Sequence, residues 1–370
     1  MDITLVLRPA IWFLLATIIF FVGIQQTGYN RRLYAVLHIT AISVCFSEQI
    51  QRPVKLPASL VAFLVGWTVH TTGILFTYNI GSQFHSLRFL EKFKTITLIW
   101  IDFRGIQRNN GVLRPEKNIP KDGFVFGAKK TARALVFFLL DHGITQYLLR
   151  PLLEDLALTP DDFSSAKQGL LPELLEKKDL ILRAVTSMQW IWTTYLLLTA
   201  LHDLCAVLFI SILRWSDKSD WPPLFASFQQ AYSLRRFWGI FWHCLHITPF
   251  AAFTPSIFDY HGDPLRRGAT MKKVLWSFWI FLMSAACHGA VNLVVYRQAH
   301  LMTEIRFFLC NWTVCLVETL LSQATKRMKK QFAGSLGPRW AIEVVGRICG
   351  YIFVLGFFFC TVPAWRYPLV

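Results

Sequence analysis

Eight apolar stretches punctuate the chain: Pro9 to Gln25, Leu33 to Ser47, Pro57 to Ile80, Ala132 to Leu149, Met188 to Leu213, Val274 to Tyr296, Ile305 to Leu321 and Val344 to Ala364. This succession limits the fold more than any single residue does. About 20 helical residues cross a hydrocarbon core, and backbone polar groups in that core must be satisfied within the structure, which helices achieve and open strands do not. Composition agrees, with 54% hydrophobic and only 16% charged residues in 370. The expected fold is all-α, a polytopic membrane protein of about eight transmembrane helices plus interfacial helices, forming a single domain over residues 1–370. The second and fourth stretches are short, and the fourth carries Asp141 and His142, so tilted or re-entrant segments are expected there.

The first stretch reads as an anchor rather than a removable signal, because Arg31 and Arg32 follow it and no small-residue cleavage pattern closes it. Most Lys and Arg fall in the loops after spans one, three, five and seven. The bias of basic residues toward the cytoplasmic side then puts both termini in the lumen. The segment from Arg150 to Arg183, of mixed charge, is the one that fits this alternation least.

A net charge of +16, spread in short clusters beside apolar spans, points to orientation and anionic headgroups rather than to nucleic acid. The eight cysteines fall singly, without a C-x-x-C pair, and give neither a zinc site nor a disulfide framework. His243 and His246 form the single H-x-x-H, with no second histidine box for a di-iron centre. Asp161 and Asp162 form the single Asp-Asp pair, where binding of a magnesium diphosphate needs two aspartate-rich clusters. No resident metal is expected.

Two segments between spans stand out. From Gly81 to Lys130, Phe84, Leu87, Leu90 and Phe93 recur at helical spacing against His85, Arg88, Lys92 and Lys94, the pattern of a helix lying among headgroups. From Trp215 to Lys273 the chain is too aromatic for an ordinary loop and too rich in proline for one span. There Trp238 and Trp242, four residues apart, share a helix face, and Arg235 and Arg236 reach for phosphates; an interfacial aromatic belt with snorkelling arginines is the plainer reading.

An ionisable side chain at membrane depth is costly and needs a reason. His288 lies near the middle of span six among small residues, with Ser284 and Asn292 one turn away on either side. An uncharged imidazole there is available as a base, or is simply a polar link to a neighbouring helix. His38, His70, His142 and His202 also lie in spans, and structural roles are expected for them.

The run WPPLFASFQQAYSLRRFWGIFWH, Trp221 to His243, resembles the signature of the wax synthase-like branch of membrane-bound O-acyltransferases, in which a second histidine follows about 45 residues on, the place of His288. RGI at Arg104 to Ile106 and KNIP at Lys117 to Pro120 are similar to a block of the fungal members. Where the family commonly has a Ser-Gly pair before the histidine, this chain has Ser284-Ala285. The resemblance implies transfer of an acyl group, most simply acetyl from acetyl-CoA, to a hydroxyl of a lipophilic terpenoid or meroterpenoid. It implies a helical domain around a catalytic tunnel in the endoplasmic reticulum, with acyl-CoA, a lipophilic alcohol and membrane lipids as partners and no bound cofactor. His288 then acts as base and His243 orients the donor or stabilises the oxyanion. Arg235, Arg236, Lys272 and Lys273 hold the coenzyme phosphates, Trp238 and Trp242 line the channel mouth, and Ser284 and Asn292 contact substrate. A long-chain wax-ester synthase is the nearest alternative. A transporter or lipid-binding scaffold, or a membrane terpene cyclase, stands in another class, although no inverted repeat is visible.

Overall fold

The computed structural model describes residues 3–51, 56–109, 112–113, 123–169, 176–258, 269–331 and 339–369. The KNIP string lies outside the described residues. In chain order the helices are α1 (Ile3–Gly23), α2 (Gly28–Ile50), α3 (Ala58–Thr77), α4 (Phe89–Ile101), α5 (Gly123–Ile144), α6 (Arg150–Asp155), α7 (Lys177–Ala206), the single turn α8 (Leu234–Arg236), α9 (Ile247–Ala251), α10 (Ala269–Tyr296), α11 (Leu301–Gln331) and α12 (Arg339–Arg366). A two-residue antiparallel hairpin, β1 (Arg108–Asn109) with β2 (Val112–Leu113), accompanies them.

The body of each of the eight expected stretches is helical, the first and third running two and three residues past the ends of α1 and α3. Among the described residues, six helices are long and apolar enough to cross a membrane: Gly28–Ile50, Ala58–Thr77, Lys177–Ile212, Met271–Tyr296, Leu301–Gln323 and Glu343–Leu369. The second stretch is therefore not short, because its polar flanks, from Gly28 to Arg32 and at Glu48 and Gln49, are helical too. Arg8–Gly23 is apolar but shorter. The fourth stretch forms α5, whose Lys129, Lys130, Arg133, Asp141 and His142 exclude it from that set, and a π-helical turn at Thr145–Leu149 ends it. The chain is a multi-pass membrane protein. Its outward faces carry exposed Ile11, Leu14 and Ile18 on α1, and Ile348, Ile352 and Phe353 on α12. A lipid solvent suits such faces and water does not.

The chain divides into two compact units, Met1–Glu116 with Leu245–Leu309, and Lys117–Cys244 with Cys310–Val370. In the first, α1, α2 and α3 close around Phe20, Ile24, Ala35, Ile74 and Leu75. The His38 imidazole sits inside it: Nδ1 is 3.0 Å from the Ala16 carbonyl, which only accepts, so Nδ1 carries the proton and Nε2 faces the Thr71 hydroxyl at 2.9 Å. The amphipathic helix expected from Phe84 starts later, at Phe89. Phe84 belongs to a buried 3-10 turn in the α1–α3 core, and the Glu91 carboxylate accepts the Arg88 N–H at 2.9 Å to open α4. Phe89, Leu90 and Phe93 are then its exposed apolar face.

In the second unit α5 and α7 are joined by charge. The Asp203 carboxylate, with no exposed side-chain surface, accepts from Lys130 Nζ at 2.7 Å and from the Arg133 guanidinium. Two turns along α7, in its π-helical extension Val207–Ile212, the Ser211 hydroxyl donates to the Gly123 carbonyl at 2.7 Å. Buried Arg183 donates to the carbonyls of Lys167 and Gly169 at 2.6 and 2.8 Å, which ties the Arg150 to Arg183 segment to α7.

Candidate active site

In the second unit the aromatic block is built on a wide turn. After α8, Phe237–Phe241 is π-helical, and the Trp242 N–H donates to the Phe237 carbonyl at 2.7 Å, five residues back. The Glu318 carboxylate on α11 starts this segment, accepting the Leu234 and Arg235 N–H groups at 2.9 and 2.8 Å. Trp238 Nε1 donates to the buried Asn311 Oδ1 at 2.8 Å. Trp242 stacks on Phe237 at 5.0 Å and packs on Trp190 of α7 at 5.2 Å, with 5% of its surface exposed.

That placement corrects two expectations. Trp242 and Phe237 are core residues, so the block is not an interfacial belt, and Trp242 does not line a mouth. Trp190 supplies the reason, since it also contacts Trp238, Phe358 and Trp365 and makes an aromatic centre for the unit. Arg236 is not held ready for phosphate: it donates to Gln230 at the carbonyl and side chain, and its guanidinium lies 4.6 Å over the Tyr232 ring. Arg235 is exposed. His243 is half-buried, its ring 5.4 Å from Trp242 and 5.7 Å from Phe225.

Gly350 on α12 lets this block come close. A Cβ there would stand 2.1 Å from the Tyr232 carbonyl oxygen, a backbone atom that cannot swing aside. Gly350→Ala is therefore expected to destabilise by about 1–3 kcal/mol and to displace the turn that follows Tyr232. Gly346→Ala, one turn earlier with nothing within 4 Å of its Cβ, is the matched control and gains about 0.5–1 kcal/mol of helix propensity. Thermal unfolding of the pair in detergent measures both, and an unaltered Gly350→Ala midpoint rejects the close approach.

His288 belongs to the first unit, on α10. Its side chain is exposed. At 100° per residue it lies opposite Ala286, Ala290 and Leu293, the exposed outer stripe of the helix. On one side of it Val294 and Val295, with Cys287 and Val291, pack with Val61 and Val65 of α3. On the other, Gly289 abuts Leu301 and Asn292 donates to the Glu304 carboxylate of α11 at 2.7 Å. The imidazole thus stands between the side of α10 packed on α3 and the side packed on α11, opposite the outer stripe, with Phe308 at 5.1 Å. The Ser284 hydroxyl donates to Ile280 within its own helix at 2.9 Å, and Asn292 is buried on Glu304. Neither side chain is presented to a substrate as expected, because each spends its polar group on the fold. Lys272 and Lys273 are exposed at the start of α10.

His246, three residues beyond His243, belongs to the first unit. Its ring stacks on Phe250 at 5.5 Å and meets Phe103 edge-on, and Phe103 stacks on His70 at 4.9 Å. Burial pushes the His246 imidazole down to about 4, so the ring is neutral where it stacks. Gly66 makes room for it, since a Cβ there would lie 2.7 Å from Nε2. The Asp102 carboxylate caps the RGI loop through the Ile106 and Gln107 N–H groups at 2.8 and 2.7 Å, and the Thr248 hydroxyl donates to the Arg104 carbonyl at 3.1 Å. RGI and the tail of the aromatic segment therefore meet within one unit.

Residues 221–310 match the Membrane bound O-acyl transferase family. This family segment contains the whole aromatic block, His243, His246 and His288. Among similar proteins are an acetyltransferase, spyB, of Aspergillus fumigatus, 30% identical over 156 residues, which are 40% of this chain and 26% of the relative. An O-Mevalon transferase, yanI, of Aspergillus niger is 28% identical over 45% of this chain and 37% of its own length. The acetyltransferase aurG of Calcarisporium arbuscula is 28% identical over 53% and 45%. The chain spans less than half the length of each of these relatives. No solved structure matches it.

Glu318, Asn311, Asp102 and Glu304 support the family segment or its neighbour and are absent from the residues singled out by sequence. For Glu318 a signal was present: a carboxylate inside an apolar stretch calls for the same explanation as a histidine there.

Proposed function

We propose that the chain is a membrane-bound O-acyltransferase that moves an acyl group, acetyl from acetyl-CoA in the first instance, to a hydroxyl of a lipophilic terpenoid or meroterpenoid in secondary metabolism. The match over residues 221–310 carries this reading, because it holds in one family segment the aromatic block and the histidine of α10. The names of the relatives support the reaction class: spyB and aurG are called acetyltransferases.

In the reaction His288 takes the proton of the acceptor hydroxyl as its oxygen attacks the thioester carbonyl. The tetrahedral intermediate collapses with cleavage of the C–S bond, and the imidazolium returns the proton to the leaving coenzyme thiolate. Exposure of the imidazole opposite the lipid-facing stripe of α10 supports this role, since both reactants have to reach it. His243 stabilises the oxyanion or orients the donor, and exposed Arg235, Lys272 and Lys273 serve the coenzyme phosphates. An endoplasmic reticulum location accords with a lipophilic acceptor.

The test is incubation of the purified protein with terpenoid alcohols and labelled acetyl-, mevalonyl- and palmitoyl-CoA, the middle donor chosen because yanI is named for mevalon transfer. Ester formation with acetyl as the preferred donor is expected. Preference for palmitoyl replaces the acceptor class with a fatty alcohol, and no transfer from any donor overturns the enzyme reading.

A further inference from the structure

We infer that Glu304 is a positioning residue for His288, acting through the Asn292 amide and the register of α10 on α11; the inference rests on His288 being the base proposed above. The chain turns sharply between these helices, with Arg297 and His300 at φ 66° and 43°. Two rungs then join them. Asn292 Nδ2 donates to Glu304 Oε1 at 2.7 Å, with Asn292 4% and Glu304 1% exposed. One turn away, four residues earlier on α10 and four later on α11, the His288 ring meets Phe308 at 5.1 Å. The spacing is that of one helical pitch, about 5.4 Å, so the polar rung fixes which α11 residue stands beside the imidazole. Apolar packing alone tolerates slippage of one helix along the other, whereas a buried hydrogen bond accepts one register. Glu304 sits in the first turn of α11, where the helix dipole favours its carboxylate.

Reach, rather than charge, is then the property that matters, and two variants separate them. Glu304→Gln keeps the length and an acceptor for Asn292; Glu304→Asp keeps the charge and shortens the arm by one methylene. Glu304→Asp is expected to lower kcat about tenfold with KM for the acyl donor within about twofold, and Glu304→Gln to stay within about twofold of the parent. Because both ends belong to one rung, Asn292→Ala is expected to add nothing beyond about twofold to Glu304→Asp. A second readout needs no acceptor: carbethoxylation of His288 by diethyl pyrocarbonate, mapped by mass spectrometry, is expected to change about threefold in folded Glu304→Asp as the ring contact with Phe308 shifts, and to stay at the parent rate in Glu304→Gln. Rescue by Asp and not by Gln, multiplying losses in the double variant, or an unchanged modification rate in Glu304→Asp overturns the inference. His288→Ala separates the two layers: if it retains turnover the base assignment falls and this inference with it, whereas an inactive His288→Ala beside an unimpaired Glu304→Asp removes the positioning role alone.

Discussion

Replacing His288 with Ala is expected to lower acyl transfer by about 10²–10⁴-fold, the span that a positioned general base supplies, and to leave the thermal midpoint nearly unchanged. The second half follows from exposure. The imidazole is exposed and not packed on all sides, so truncation opens no sealed cavity, and surface substitutions away from special features stay within about 0.5 kcal/mol. Loss of rate without loss of fold is the signature sought. Because the side chain is exposed, free imidazole added to the buffer is expected to rescue the Ala variant in part. A variant that keeps parental turnover with acetyl-CoA and acceptor removes His288 from the chemistry, and one that unfolds shows the side chain to be structural after all.

The helical spans were legible because a bilayer leaves the backbone little choice: a long apolar run has to be a helix, and each of the eight is. Their ends were less so. α2 extends through Arg31, which a hydropathy reading stops before, because that guanidinium reaches back to the Tyr78 carbonyl inside the first unit. The start of α4 was legible in Arg88-x-x-Glu91, a capping pattern that outweighs the apolar spacing running back to Phe84. In the aromatic block, residue types alone suggest the membrane interface. What buries Trp242 is Trp190, about fifty positions upstream, and a contact of that separation leaves no local trace. The π-helical turn likewise has no composition of its own. His288 is legible from its small neighbours, and Gly289 does admit a close approach, that of Leu301 at the start of α11; the exposure of the imidazole leaves no mark in the residue types around it.

Asp203→Ala is expected to destabilise the protein by about 3 kcal/mol, the lower part of the range for breaking a buried ion pair by removing one partner. The carboxylate has no exposed surface, and it takes hydrogen bonds from both Lys130 and Arg133, whose side chains are 14% and 39% exposed. Removing it leaves two cations one turn apart on α5 with no counter-charge on α7, and the more open Arg133 recovers part of its solvation, which is why the lower figure applies. Asp203→Asn keeps an acceptor but loses the charge, so an intermediate drop in the thermal midpoint is expected. Apolar replacement of all three, Asp203→Leu with Lys130→Met and Arg133→Leu, is expected to regain most of the stability, since the desolvation of the ions is then no longer required. Thermal unfolding in detergent of the parent and the three variants ranks them. A midpoint for Asp203→Ala equal to that of the parent means that the cluster is solvated and contributes nothing to holding α5 on α7. A triple variant no better than Asp203→Ala means instead that the loss lies in packing rather than in the stranded charges.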